Sequence, residues 1–173
     1  MNNKMKILVL QYGSYALLFY LIYILQATPG VLSFWGYKPL LLAPCVVSIA
    51  MLEQEYVGGL FGAFAGALCD LTSSGYFGFH AILFLLCGTA VGLLCEYLTQ
   101  RNLRNCLWFT AALMLLVNII SYFFQFGIFH YPNAGLYWLW RLLGTTLPTL
   151  VLTPPVFLLL RRLNDRYLPR REV

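Results

Sequence analysis

An aspartate and a histidine stand ten residues apart in the segment CDLTSSGYFGFH, residues 69–80, which lies between two strongly apolar runs. Asp70 and His80 are residue types that transfer protons, bind metals or form ion pairs. Ser73 and Ser74 lie between them, so a serine nucleophile with a histidine base is the first chemistry to consider. The serines lack the G-x-S-x-G context of a nucleophile turn. No catalytic residue is therefore predicted here.

The other reactive side chains do not form a recognisable metal or phosphate site. The five cysteines, at positions 45, 69, 87, 95 and 106, show no C-x-x-C pair and no histidine at ligand spacing. No glycine-rich loop ends in G-K-[ST], the sequence that cradles a nucleotide phosphate. We expect the cysteines to be small core residues, and we predict neither an enzyme, a metal site nor a cofactor.

The composition indicates whether these residues lie in a water-soluble protein or in a membrane. The chain has 173 residues, of which 61% are hydrophobic and 10% charged, and its mean hydropathy is +0.76. A soluble domain carries about 25% charged residues. The apolar stretch from Ile7 to about Ala27 is long enough to cross a bilayer, and no cleavage site of the A-x-A type follows it. The sequence therefore predicts an integral membrane protein that retains its first helix.

Six apolar runs are separated by turn or charge clusters such as TPG, EQEY, TSSG, QRNLRN and HYPNAG. We predict an all-α protein with one domain of six transmembrane helices over residues 1–163, followed by a basic cytoplasmic tail over 164–173. The predicted spans are 5–27, 37–52, 57–71, 79–98, 106–129 and 137–160.

The basic residues predict the orientation, since Lys and Arg accumulate on the cytoplasmic side. With six crossings and the N-terminus inside, the outer side holds only Lys38 and Arg141. The inner side holds the other basic residues: Lys4, Lys6, Arg101, Arg104, Arg161, Arg162, Arg166, Arg170 and Arg171. Both termini are thus predicted in the cytoplasm. The tail is expected to bind anionic lipid, and the alternative is a docking strip for a cytoplasmic protein.

The second and third spans are short. The run from Pro39 to Leu52 is 14 residues, or about 21 Å as a helix, against an apolar core of about 30 Å. A re-entrant hairpin would keep the same orientation but place Glu53 and Glu55 near the middle of the membrane, at about 2.5–3.5 kcal/mol each if charged. We favour two complete crossings that are shielded by neighbouring helices or a thinned bilayer.

Small and polar residues recur every four positions, which places them on one face of each helix. Span three carries Gly58, Gly62, Gly66 and Asp70, and span four carries His80, Phe84, Gly88, Gly92 and Glu96. Span six carries Arg141, Thr145, Thr149 and Thr153. Small residues at this spacing let helices approach closely in lipid. Two interpretations remain: packing within the chain, or a groove for a partner helix or lipid.

Asp70, His80 and Arg141 are expected near the outer ends of their helices. We hypothesise that they converge and hold spans three, four and six together, since an ionisable group at a membrane boundary is normally paired or reaches for water. Each residue has an alternative. Arg141 could reach the interface beside the aromatic segment YWLWR, Asp70 could cap the TSSG turn, and His80 could bond to backbone groups.

The segment GGLFGAFAGALCDLTSSGYFGFHAILFLLCGTAVGLL, followed by RNLRNCLW and TLPTLVLTPPVFLLLRRL, resembles the rod shape-determining protein MreD family. The resemblance spans essentially the whole chain. Asp70, Gly75, Gly78 and His80 match the central motif of that family and are expected to line a pocket or its outer mouth. The doubled serine departs from the single serine that usually precedes the glycine. Arg141 is not part of the motif.

The resemblance implies a non-catalytic scaffold subunit of the bacterial elongasome in the inner membrane, needed for rod shape and lateral peptidoglycan synthesis. The implied partners are MreC, the class B penicillin-binding transpeptidase, RodA and MreB, with no nucleic acid. The family is also similar in fold to the six-helix substrate-binding subunits of energy-coupling-factor transporters. A small-molecule-binding subunit of such a transporter is therefore the alternative function.

Overall fold

The computed structural model describes residues 3–28, 38–72, 78–98, 100–126 and 134–171. Within these ranges the chain forms helices and no strand, which confirms the expectation of an all-α protein. The six helices are α1 (Asn3–Ala27), α2 (Leu42–Leu52), α3 (Glu55–Thr72), α4 (Phe79–Tyr97), α5 (Leu103–Phe126) and α6 (Ala134–Arg171). Residue 37 of the predicted second span and residues 127–129 of the fifth lie outside the described residues.

Four helices are long and apolar enough to cross a membrane, over Met5–Ala27, Phe79–Tyr97, Leu103–Phe123 and Trp140–Tyr167. The outward faces of these four helices, and the outward face of α3, carry large apolar side chains. Leu17, Leu60, Ile119 and Val151 on four different helices are each more than half exposed. A soluble monomer rarely exposes apolar surface on this scale. The chain is a multi-pass membrane protein.

The helices run alternately between two ends of the bundle. At one end the backbone N–H of Leu42 donates to Oε1 of Gln26, at 3.4 Å, which places the start of α2 beside the end of α1. At the other end Glu53 follows α2 and contacts Gln11, in the first half of α1. We call these the Asp70 end and the Glu53 end, after the carboxylate found at each.

The short helix α2 is buried on every side. All of its 11 residues are buried, and it contacts each of the other five helices. Its sequence, LAPCVVSIAML, is apolar all round, as expected for a helix that is enclosed by others. Pro44 falls in the first turn, where a missing N–H costs no helical hydrogen bond. The expectation that neighbours shield this short segment agrees with its burial.

Helices α3 and α4 pack with their backbones in direct contact, along what we call the glycine interface. A Cβ atom added at Gly88 would lie 2.5 Å from the carbonyl oxygen of Gly58. One added at Gly62 would collide with the backbone of Phe84. No other residue type fits at these positions without moving a helix.

The same contact continues towards both ends of α3. A Cβ at Gly66 would collide with the backbone of Ala81, and one at Gly92 would lie 2.6 Å from Cα of Glu55. The glycine-bearing faces of α3 and α4 therefore lie against each other. This agrees with the interpretation that the small residues serve packing within the chain. The backbone of the facing helix fills the space in which a partner helix would have to lie.

The sixth helix is longer than the predicted span 137–160. It continues to Arg171, so residues 164–171 extend the helix and do not form a separate segment. Asn164, expected at the start of a solvated tail, is only 4% exposed. The first residue of the predicted tail thus belongs to the bundle, where Asn164 contacts side chains of α1. The cytoplasmic location of residues 164–173 stays a prediction.

Candidate functional site

The first polar site lies at the Asp70 end, where α4 begins. The residue before α4 is Gly78, which has a φ of 93° and offers no side chain to cap the helix. Glycine adopts this left-handed conformation without the steric cost that a Cβ would bring. The first backbone N–H groups of α4 therefore need an acceptor from elsewhere in the chain.

Asp70, in the last turn of α3, supplies this acceptor. Its Oδ2 accepts hydrogen bonds from the backbone N–H groups of Gly78 at 2.9 Å and Ala81 at 3.2 Å. Its Oδ1 accepts from the backbone N–H of His80 at 3.2 Å and lies 2.7 Å from Nδ1 of the same residue. The carboxylate is buried, and the N-terminal dipole of α4 favours its negative charge. We call this arrangement the Asp70 cap.

The cap fixes the imidazole of His80. With Nδ1–H donating to the carboxylate, Nε2 of the neutral ring is left as an acceptor on the opposite side. The ring packs edge-on against Phe84, with centroids 6.2 Å apart, and its side chain is 20% exposed. The structure thus brings Asp70 and His80 together as predicted. Asp70 also has a capping role, as one of the two sequence interpretations proposed, but the backbone groups that it caps belong to the start of α4.

The other predicted site residues are dispersed. Gly75 lies outside the described residues. Arg141 is half-buried in α6, and its pairing with Asp70 stays a prediction. Glu96 is exposed at the opposite end of the bundle, where its carboxyl group neighbours that of Glu55. Gly62, Gly66, Gly88 and Gly92 lie in the glycine interface.

The threonine face of α6 points inward, as its spacing predicted. Thr149 and Thr153 are fully buried, and each hydroxyl donates to the carbonyl four residues earlier, at 2.6 and 2.8 Å. The Thr149 hydroxyl also accepts from the backbone N–H of Leu40 at 3.0 Å, which ties the entrance of α2 to α6.

A second polar cluster, not predicted from the sequence, lies at the Glu53 end. It consists of Gln11, Tyr15, Glu53 and Asn164, which are 8% exposed or less. Nε2 of Gln11 donates to Oε1 of Glu53 at 2.6 Å and approaches Oδ1 of Asn164 at 3.3 Å. The Tyr15 hydroxyl lies 3.2 Å from Oε1 of Glu53 and 3.3 Å from Oδ1 of Asn164. We call these four residues the Glu53 cluster.

The Glu53 cluster has as many donor hydrogens on Gln11 and Tyr15 as it has acceptor groups for them. Gln11 has two amide hydrogens and Tyr15 has one hydroxyl hydrogen, whereas the acceptors are Glu53, Asn164 and the Tyr15 oxygen. Each hydrogen finds an acceptor, so the cluster is an internally consistent network across α1, the α2–α3 turn and α6. The sequence signal was Gln11, an amide in the middle of the apolar residues 7–25 of α1.

Within the described ranges, no three His, Cys, Asp or Glu side chains lie close enough together to hold a metal ion. All five cysteines are free, and four are buried. Cys106 packs in the core with its sulfur 3.6 Å from the Ser48 hydroxyl. Four of the five cysteines thus occupy the core positions that their apolar surroundings predicted, and Cys87 is partly buried.

Comparison with known proteins gives one match. The family model described as rod shape-determining protein MreD matches residues 6–163. The chain belongs to the MreD family. The match covers α1 to α5 and most of α6, including the Asp70 cap and three members of the Glu53 cluster. No curated protein and no solved structure matches the chain. With its apolar helices, the chain is a rod-shape-determining membrane protein.

Proposed function

We propose that the chain is a non-catalytic membrane scaffold of the machinery that maintains rod shape and lateral peptidoglycan synthesis. The observation that carries this proposal is the MreD family match over residues 6–163. The proposed partners are MreC and, through it or directly, the class B transpeptidase, RodA and MreB. No finding favours the transporter alternative.

The packing of the bundle limits how such a scaffold associates with other helices. The small-residue faces of α3 and α4 are filled by each other, so a partner helix has to dock on an outward face. These faces carry large apolar side chains, such as Leu17 on α1, Trp108 and Phe123 on α5 and Val151 on α6. Association in lipid would then rest on shape complementarity between outward side chains.

The two ends of the bundle support six crossings with both termini in the cytoplasm. The α2–α3 turn is linked to α6 through Tyr15, whose hydroxyl lies within hydrogen-bond distance of both Glu53 and Asn164. Asn164 follows the exposed pair Arg161 and Arg162. Arginines that follow an apolar helix segment mark the membrane interface. A turn at this level lies at the surface, whereas the tip of a re-entrant hairpin would lie near the middle of the membrane.

The central family motif has a proposed role at the outer surface. The Asp70 cap holds the end of α3 and the start of α4 together, on either side of residues 73–77. It turns the His80 ring so that Nε2 is available to a hydrogen-bond donor. We assign to this region, with Gly75 and Gly78, the outer mouth at which an extracytoplasmic partner segment would bind.

Depletion of the chain in a rod-shaped bacterium that encodes it tests the proposal. We expect wider, then rounded, cells, and rescue by the intact chain. Purification of the tagged chain from membranes, with mass spectrometry, should recover MreC. Unchanged cell shape on depletion, or recovery of a transport ATPase in place of MreC, would contradict the proposal.

A further inference from the structure

A polar cavity opens at the Glu53 end beside the Glu53 cluster. Its volume is about 380 Å³, within the range of about 300–1,000 Å³ that small-molecule sites occupy. Its wall is built from α1, the α2–α3 turn, the residues before α5, and α6. The residues that matter chemically are Glu53, Gln54, Arg101 and Asn164, and Leu8 and Tyr12 contribute from α1.

The cavity contains one acidic and one basic side chain. Nη1 of Arg101 donates to the backbone carbonyl of Leu52 at 3.0 Å, which holds the guanidinium beside the residue that precedes Glu53. The guanidinium has five N–H donors, so four remain for an anionic group. Glu53 offers carboxylate oxygens, and the amides of Gln54 and Asn164 are neutral. A group that carries both a positive and a negative charge complements this wall.

The cavity lies at the level of the membrane surface. Arg104, Arg161 and Arg162 are exposed on α5 and α6 at the same end of the bundle. Arginines that border an apolar helix segment reach the headgroup region. Leu8 and Tyr12 lie just inside the first apolar stretch, so one side of the cavity is apolar and the other polar. This is the boundary between lipid chains and headgroups.

We propose that this cavity binds the headgroup of phosphatidylethanolamine, a zwitterionic phospholipid with a primary ammonium group. The ammonium, with three N–H donors, binds the Glu53 carboxylate, and the phosphate binds the Arg101 guanidinium. The acyl chains leave along Leu8 towards the lipid. The lipid thereby bridges α1, the α2–α3 turn and the start of α5. This inference does not depend on the proposed function.

Lipid retention by the purified full-length chain tests this site. The delipidated protein in detergent is given phosphatidylethanolamine, phosphatidylcholine and phosphatidylglycerol with the same acyl chains, and bound lipid is measured by native mass spectrometry. Choline has no N–H donor, and phosphatidylglycerol has no cation. We expect phosphatidylethanolamine to be retained about tenfold more than either, as loss of a charge-assisted hydrogen bond implies.

Three variants assign the effect to the cavity. Arg101→Gln should reduce phosphatidylethanolamine retention about tenfold, since it removes the partner of the phosphate. Arg104→Gln is the matched control, because Arg104 is exposed three residues further along the chain and does not line the cavity. Glu53→Gln keeps an acceptor for Gln11 and Tyr15 but removes the charge, so the preference for phosphatidylethanolamine over phosphatidylcholine should disappear.

Two results would overturn the proposal. One is equal retention of the three lipids, or a preference for phosphatidylglycerol, by the unaltered chain. The other is an equal loss of phosphatidylethanolamine in Arg101→Gln and Arg104→Gln, which would indicate general attraction to the basic surface. If Glu53→Gln cannot be purified, the proposal is still tested by the comparison of the three lipids and by the comparison of Arg101→Gln with Arg104→Gln.

Discussion

The two ends of the bundle each bury a carboxylate, but the carboxylates have different partners. At the Asp70 end the partners include three backbone N–H groups of the next helix, 8 to 11 residues along the chain. At the Glu53 end they include side chains of Gln11 and Tyr15, 42 and 38 residues away, which are joined to Asn164 on α6. One carboxylate closes a helix end, and the other connects distant helices.

The difference predicts how far a disturbance spreads. Backbone donors are present whatever side chains surround them, so the Asp70 cap depends mainly on one residue. The Glu53 cluster depends on four side chains together, and groups that share hydrogens are energetically coupled. Loss of the cap should loosen one helix start, whereas loss of one cluster member should weaken contacts among α1, α2 and α6.

The largest effect is expected at the glycine interface, which runs between the two ends. Gly62→Leu would force a side chain into the backbone of Phe84 and separate α3 from α4. Overpacking of this kind costs about 3 kcal/mol or more, so both ends should be lost together. The measurement is the yield of monodisperse protein and its thermal unfolding in detergent.

Gly13→Leu provides the control for the same chemical change. Gly13 is exposed on α1, and an added Cβ meets open space. Its effect should be small, since leucine also favours the helix more than glycine does. Similar losses in the two variants would show that the glycine interface is not the sensitive contact.

The next effect tests the Asp70 cap. Asp70→Ala leaves the N–H groups of Gly78, His80 and Ala81 without their acceptor, at about 3 kcal/mol in unfolding free energy. Hydrogen exchange should rise in the first turns of α4 and little elsewhere. Glu53→Ala should instead raise exchange in α1 and α6. If both variants affect the same helices, the proposed difference between the two ends is wrong.

The sequence predicted the features that depend on local spacing. Six helices, the shared faces of Gly62 with Gly66 and of Gly88 with Gly92, and the closeness of Asp70 to His80 follow from periods of four and from short loops. Such patterns state which residues share a face. They do not state which other face lies opposite, and this is why packing and a partner groove remained alternatives.

The sequence did not predict the features that depend on distant contacts. Gln11 and Asn164 are 153 residues apart, and nothing in their neighbourhoods indicates that they meet. The basic residues around Asn164 suggested a solvated tail. Asn164 is buried because it contacts Gln11 and Tyr15 of α1, which its neighbours in the sequence do not indicate. The sequence suggested that Asp70 caps the TSSG turn, but it did not show that the capped N–H groups belong to the start of α4, a helix other than its own.

A double-mutant cycle measures the coupling within the Glu53 cluster. Tyr15→Phe and Asn164→Ala each remove one side of the contact between the hydroxyl and Oδ1. We expect a coupling energy of about 1 kcal/mol in unfolding free energy. The same cycle between Tyr15→Phe and His80→Ala should give under about 0.5 kcal/mol, since the two residues lie at opposite ends. Equal coupling in the two cycles would contradict the separation.

The smallest effect concerns the contact that holds the entrance of α2. Thr149→Val removes the acceptor of the Leu40 N–H, which is bonded at 3.0 Å, and should cost about 1 kcal/mol. Thr145→Val is the matched change one turn earlier, where the hydroxyl bonds carbonyl groups of its own helix. It should cost less than about 0.5 kcal/mol, because those carbonyls keep their helical N–H partners. SDS titration of the two variants compares them directly. If Thr145→Val is as harmful as Thr149→Val, the threonine face stabilises α6 itself and not its contact with the residues before α2.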